Sequence, residues 1–328
     1  MPLTKVQSRG TENVGQGSSN VVHNGAMNVA QRGTSKTSFG GGSASGYFTV
    51  DRFKLDQDSG GVLTMTQDSS APSGFANSMK LDCTTADTSV ASGEYLVISH
   101  RIEGQNLQAF AKGTSDAKPF AVSFYVKGNA SATYVCELFD SDNSRNVSKS
   151  FTVGTDWERV ELNFPADTTG AFDDDNAESL NMQIWLHAGT TWSSGTLSET
   201  WTSNTNANRA VGISSFYDST DRTFFITGVQ MEVGSQASDF QHEDIVTTLA
   251  KCQRYFHKIT SLLYGGYGAD SAGDYSTIWF PTELRATPTM TGVNSGSTMQ
   301  NVTKEFAQVY YVGGYSAWSS GATASADL

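Results

Sequence analysis

The chain has 328 residues, 38% of them apolar, which is enough for one large or two modest domains with a real core. Its formal charge is −12 and its 21 Lys and Arg are scattered singly, which disfavours direct binding to nucleic acid or to an anionic membrane surface. Cys83, Cys136 and Cys252 are too few and too far apart for a disulfide framework, and with neither a signal-peptide pattern nor an apolar run of about 18 residues, nothing in the sequence points to export or membrane insertion.

Glycine is abundant (32), proline scarce (6), and Ser, Thr, Asn and Asp crowd the gaps between short apolar runs, as in an all-β protein with many turns. Residues 1–20 hold too few aliphatic side chains to offset their own chain entropy, so they read either as a disordered arm or, the favoured reading, as an arm ordered by docking on a neighbour or a larger assembly. This arm region is taken to span residues 1–36. Within it, Val22, a tight turn at Asn24–Gly25, Met27 and Val29 read as a short strand.

The segment 37–240 reads as a jelly-roll β-sandwich. Tyr47–Leu55 is expected as its first strand, followed by Val62–Thr66, Ser78–Cys83 and Tyr95–Ile102 with turn residues between them. The clearest alternation places Phe120, Val122, Phe124 and Val126 on one face and Ala121, Ser123, Tyr125 and Lys127 on the other. Tyr134–Phe139, Phe151–Val153, Val160–Phe164 and Met182–Leu186 repeat the pattern, giving roughly eight to ten strands before Gly234. A polar insertion from Ala188 to Gly212 carries Trp192 and Trp201, which either stack on sugar rings or cover a sandwich edge or subunit contact.

The run from Thr223 opens as a strand with Phe225, Thr227, Val229 and Met231 on one face, and Gly234–Ser238 breaks it. The period then changes. Asp239 is a candidate cap for a helix within 241–259, whose apolar positions Ile245, Val246, Leu249, Cys252 and Phe256 recur at helical spacing. It is the one helix expected, joining the sandwich to a small β-rich C-terminal domain at 260–328. Aromatics concentrate in that domain: Tyr264, Tyr267, Trp279, Tyr310, Tyr311, Tyr315 and Trp318 are, with Trp192 and Trp201, the candidate ligand-binding residues. A block this small is expected to lean on the body or on copies of itself.

Little in the sequence supports bond-making chemistry. Asp140, Asp142, Asp173 and Asp175 sit in turn-like segments, where they are poor glycosidase acids but weak candidates for a structural calcium ion. The histidines form no HxH or HExxH pattern, GxSxG is absent, and the Gly-rich stretch at 40–46 leads into a strand instead of a helix. Glu103 reads as a turn residue or as an ion-pair partner of Arg101. No catalytic residue and no cofactor is expected.

The segments VVHNGAMNVAQRGTS, YLVISHRIEGQNLQAF, KPFAVSFYVKG and TGVQMEVGSQASDFQHEDIVTTLAKCQRYF, with FPTELRATPTMT and a terminus reading ASADL, together resemble bacteriophage tail-fibre and related virion proteins. These carry a jelly roll like that of carbohydrate-binding modules. The resemblance covers most of residues 20–328. It implies a non-enzymatic virion component that is homotrimeric, is fixed to other virion proteins through residues 1–20, and presents its distal part to a host surface glycan or receptor. A head fibre or a purely structural decoration is the alternative, and a polysaccharide-degrading tailspike a third reading. In a trimer, Ile245, Leu249, Cys252 and Phe256 would line a symmetry axis; otherwise that stripe packs on the sandwich.

Overall fold

The computed structural model of the chain describes residues 20–259, 262–264, 274–292, 297–311, 317–319 and 321–328. The expected arm before Asn20, and Tyr267 and Tyr315, lie outside them.

The body is an all-β jelly-roll sandwich. Its strands are β1 (Ser35–Tyr47), β2 (Lys54–Asp68), β3 (Ser78–Thr85), β4 (Tyr95–Glu103), β5 (Phe120–Gly128), β6 (Ala132–Asp140), β7 (Arg145–Val153), β8 (Glu158–Phe164), β9 (Glu178–Ala188), the two-residue β10 (Thr202–Ser203) and β11 (Thr223–Val233). They pair antiparallel in the order β10-β7-β6-β9-β4-β2-β3-β11-β5-β8, with β1 alongside β2. Strand β2 is the corner. Its first part, Lys54–Asp58, pairs with β4, and its second part, Val62–Asp68, with β3, so one ribbon of strands folds into a front and a back layer. At the bend a Cβ on Gly40 would meet the Gly61 carbonyl oxygen at 2.4 Å, so only glycine lets β1 follow β2 round it.

Between the layers lie Leu55, Leu63, Ile98, Phe124, Leu138, Ile184 and Phe224 with their neighbours in one continuous core. Each such side chain contributes about 1.5–3 kcal/mol when fully buried. The expected strand Tyr47–Leu55 is instead the end of β1, a turn, and the start of β2; Arg52 takes a positive φ (74°) in that turn. The expected strand after Val21 is also absent. Asn24 makes the turn (φ 60°), but its side chain accepts from the Val29 amide and donates to the Val29 carbonyl, so these backbone groups need no partner strand. Val22 and Met27 belong to the sandwich core, and Asn20 receives the Met231 amide, which ties residues 20–34 to the body.

Strand β11 corrects the expected faces. Phe224 and Ile226 point into the core, and so do Val229 and Met231, because one extra residue enters between Thr227 and Gln230 and reverses the alternation. Gly228 makes this bulge possible, with φ 61° and no room for a side chain: a Cβ would lie 2.8 Å from both Phe75 and Tyr125. Gly228→Ala is expected to destabilise the protein by about 1–3 kcal/mol in urea titration, and an unchanged midpoint would contradict this role.

After a one-turn helix α1 (Thr190–Ser193) in the loop following β9, the principal helix is α2 (Ile245–Gln253). Asp244, not Asp239, caps it, accepting the Val246 and Thr247 amides at 3.0 Å each. Helix α2 ends before Phe256, which lies on strand β12 (Phe256–Ile259). The chain continues as β13 (Leu262–Tyr264), β14 (Asp274–Trp279), β15 (Thr289–Thr291), β16 (Ser297–Gln300), β17 (Phe306–Tyr311), β18 (Ala317–Ser319) and β19 (Ala322–Ser325). Sheets β12-β19-β15 and β14-β17-β16 pack on Ile259, Val309, Ala322, Leu284 and Ala307. Polar contacts seat this module on the sandwich: Arg32 pairs with Asp327, the Tyr47 hydroxyl donates to the Leu328 carbonyl, and Asn176 donates to the Arg285 carbonyl.

Candidate functional site

The front layer turns alternate side chains outward, and register places them in rows. Val97 on β4 lies between Trp185 of β9 and Asp56 of β2, and Ser99 lies between Gln183 and Lys54. The β9–β11 loop covers only part of this face. Strand β10 pairs with β7, the Ser148 amide donates to the Ser198 carbonyl (2.7 Å), and α1 sets Trp192 beside Trp185. Over β9, β4 and β2 the face stays open as a groove of about 390 Å³, lined by Tyr95, Val97, Ser99, Gln183, Trp192 and Arg209 among others.

One wall is held rigidly from beneath. Glu137 is fully buried on β6, accepts the Trp185 indole N–H (2.8 Å), and is clamped by Arg209 through Nε (2.9 Å) and Nη2 (2.9 Å). Arg209 Nη2 also donates to Gln183 Oε1 at 2.9 Å, and its guanidinium lies 4.9 Å from the Trp185 ring and 5.6 Å from Trp192. Trp192 donates its indole N–H to the Gly93 carbonyl (3.0 Å) and meets the Tyr95 ring edge-on at 5.8 Å. Burial, helped by Asp56 and Asp58, raises the Tyr95 pKa, so the phenol stays neutral and keeps its proton as a donor.

The groove's charges cancel locally. Lys54 pairs with Asp56 at 3.0 Å, Arg101 with Glu178 at 3.1 Å and Arg209 with Glu137. What remains for a ligand is half-buried aromatic surface beside hydroxyl and amide groups. That combination matches a molecule with one apolar face and a rim of hydroxyls.

Of the residues singled out by sequence, Trp192 is in the groove. Trp201 is elsewhere: its ring stands 5.7 Å from Phe120 and its N–H donates to the Pro165 carbonyl, so it closes an edge of the sandwich. The two tryptophans do not converge. Trp279 and Tyr310 lie on the outward face of β14 and β17; Tyr264, Tyr311 and Trp318 lie on β13, β17 and β18, with their side chains outside the described residues. The helical stripe does not form as one surface, since Cys252 and Phe256 are buried within the chain while Ile245 is exposed and Leu249 half-buried. The Arg32 guanidinium sits 3.5 Å over the Phe256 ring.

Three of the four calcium candidates have other partners. Asp140 is buried against the Lys112 ammonium, Asp142 accepts the Asp173 amide (3.0 Å), and Asp175 accepts the Ala177 amide (2.8 Å). An ammonium thus stands where a cation at Asp140 would sit. Among the described residues no group of three or more His, Cys, Asp or Glu is placed to hold a metal. Glu103 is not the partner of Arg101; it is buried and receives Arg254, Tyr255 and Gln105.

Sequence reasoning missed Tyr95, Gln183, Trp185 and Arg209. Trp185 carried a usable signal, because it falls out of phase with the core positions Met182, Ile184 and Leu186. A serine, a histidine and an acid also come into a row: His187 Nδ1 is 2.8 Å from Ser215 Oγ and its Nε2 is 3.5 Å from Glu94. The imidazole is fully buried and edge-on to Tyr217, and burial, only partly opposed by Glu94, lowers its pKa. Ser215 Oγ accepts the Tyr217 amide (3.1 Å), so the row fastens the returning loop.

No protein-family model matches the chain, and no curated protein matches it. Solved structures similar to it include a family 11 carbohydrate-binding module from Clostridium thermocellum in complex with a β-1,3-1,4-mixed-linked tetrasaccharide, at 12% identity and TM-score 0.30, covering 58% of this chain and 91% of that chain. A CBM4 module is similar at 10% identity and TM-score 0.29, covering 54% of this chain and 79% of that chain. The enzymatically active domain of bacteriophage CBA120 tailspike protein 4 is similar at 14% identity and TM-score 0.32, covering 60% of this chain and 21% of that chain.

Proposed function

We propose that the protein is a non-enzymatic virion component, a tail fibre that attaches to its host by holding a surface glycan in the groove of the front sheet. The observation that carries the glycan reading is the groove itself: Tyr95 and Trp192 form its aromatic wall, Ser99 and Gln183 its polar floor, and its ion pairs are closed among themselves. An aromatic face suits the C–H face of a sugar, while fixed amide and hydroxyl groups select its hydroxyls. The virion and tail-fibre elements of the proposal rest on the sequence motifs and on the acidic chain of net charge −12.

The second reading, a structural head fibre or decoration, draws on Ile245 and Val246, which are 54% and 72% exposed at the start of α2 and offer apolar contact to a neighbouring virion protein or to another copy. Incubating the purified protein with bacterial cells and their isolated surface polysaccharides, with reducing-end and acyl release measured in parallel, separates the readings. Binding without release is the expected result. Neither binding nor release would favour the decoration, and release would overturn the non-enzymatic assignment.

A further inference from the structure

We propose a second, independent glycan-binding surface on the C-terminal module: the outward face of the β14-β17-β16 sheet, which would hold an uncharged polysaccharide chain lying along its strands. The inference does not depend on the groove of the front sheet.

Strand alternation divides this sheet cleanly. Ile278, Ala307, Val309 and Met299 point inward to the module's core, and their sequence neighbours point out. Register then pairs the outward aromatics across β14 and β17, Tyr275 with Tyr310 and Trp279 with Phe306. The ring centroids in these pairs are 5.0 and 5.2 Å apart. Tyr275 is 58% exposed and Trp279 69% exposed, far more than a core or a closed edge leaves uncovered. Between the two pairs lies Thr277 opposite Gln308, and Thr298 and Gln300 continue the face on β16.

Three features fix the occupant. First, the described outward positions carry no charged residue in a chain of net charge −12, so the face has nothing to pair with an acidic or basic ligand. Second, it has no aliphatic side chain; rings alternate with hydroxyl and amide groups, as for a surface that must meet C–H faces and hydroxyls in turn. Third, with strands ~4.8 Å apart and rising ~3.4 Å per residue, the face is about 10 by 20 Å, or roughly 200 Å². A stable protein interface buries roughly 800 Å² on each partner, so this face is too small to hold a second copy of the chain by itself. The two aromatic pairs are about 14 Å apart along the strand, a span that requires a chain of linked sugars instead of a single ring.

Affinity electrophoresis of the full chain through gels containing soluble glucan, galactan, xylan or mannan tests this. Retardation by at least one of these polysaccharides is expected. It should weaken about tenfold or more in Tyr275→Ala/Trp279→Ala and persist in Trp279→Phe, with an unchanged melting temperature confirming the fold. Both comparisons are made in a Trp192→Ala background, so that binding in the groove of the front sheet does not contribute to the retardation that is read. Absence of retardation by all four, or equal retardation of the double variant, would overturn the proposal. So would a wild-type oligomer in light scattering that the double variant dissociates, since a second copy would then be the occupant.

Discussion

Lys112→Met is expected to lower folding stability by about 3–5 kcal/mol, read as the urea-unfolding free energy. The Lys112 ammonium is fully buried, with Asp140 equally buried against it, Asp167 at 3.1 Å, and the Thr169 and Gly170 carbonyls at 3.1 and 2.7 Å. Methionine fills similar space but leaves Asp140 without its counter-charge. The loops after β4 and β8 and the β6–β7 hairpin all converge on this one nitrogen, so its loss loosens one end of the sandwich. Lys112→Met/Asp140→Leu should recover part of the loss, because removing both charges leaves fewer buried groups unpaired. A single variant within about 0.5 kcal/mol of the parent would show that the ion pair does not hold this end.

Glu103→Ala is expected to cost about 2–3 kcal/mol and to free the C-terminal module for proteolysis, with cleavage in the 234–244 segment rising several-fold. The buried Glu103 carboxylate accepts Arg254 Nε at 2.9 Å, Arg254 Nη2 at 2.7 Å and the Tyr255 hydroxyl. It thus joins the end of β4 to the chain just after α2. The Arg52 guanidinium lies 3.4 Å from the Tyr255 ring on the same joint. Equal proteolysis of variant and parent would place the junction elsewhere.

Both sites carry a pH signature. Burial by itself would raise the Glu103 and Asp167 pKa values. The hydrogen bonds from Arg254 and Tyr255 to the first, and from Arg145, the Thr169 amide and Lys112 to the second, outweigh it and hold both below the usual carboxylate range. A carboxylate whose folded pKa is depressed contributes its stability above the unfolded value, near 4, and loses it as pH falls through the lower folded value. Part of what depresses Asp167 is gone in Lys112→Met, so the variant's stability deficit against the parent should be largest above about pH 4 and shrink as pH falls below it.

The strands of the body were legible because a half-buried strand writes its two faces into alternate residues, as Phe120, Val122, Phe124 and Val126 do. What defeated the reading was non-local. Nothing before Gly228 announces that β11 gains a residue, yet that residue decides which side of Phe225 and Val229 faces inward. Glu103 looked like a neighbour of Arg101, but Arg254 and Tyr255, which clamp it, lie some 150 residues on, where only the fold can bring them. Helix α2 stopped short of Phe256 because the Phe256–Ile259 backbone finds a strand partner in Ala322–Ser325, a pairing no local window contains. The groove was half legible: Trp192 stood out in a polar loop, whereas Tyr95, Gln183 and Arg209 acquire meaning only through strand register and through the buried Glu137.

Isothermal titration of the protein with oligosaccharides prepared from a surface polysaccharide that it binds tests the groove most directly. Trp192→Ala and Tyr95→Ala should each weaken binding about tenfold or more, about 1.4 kcal/mol, with the melting temperature nearly unchanged. Undiminished affinity in both variants would contradict a ligand lying against that aromatic wall.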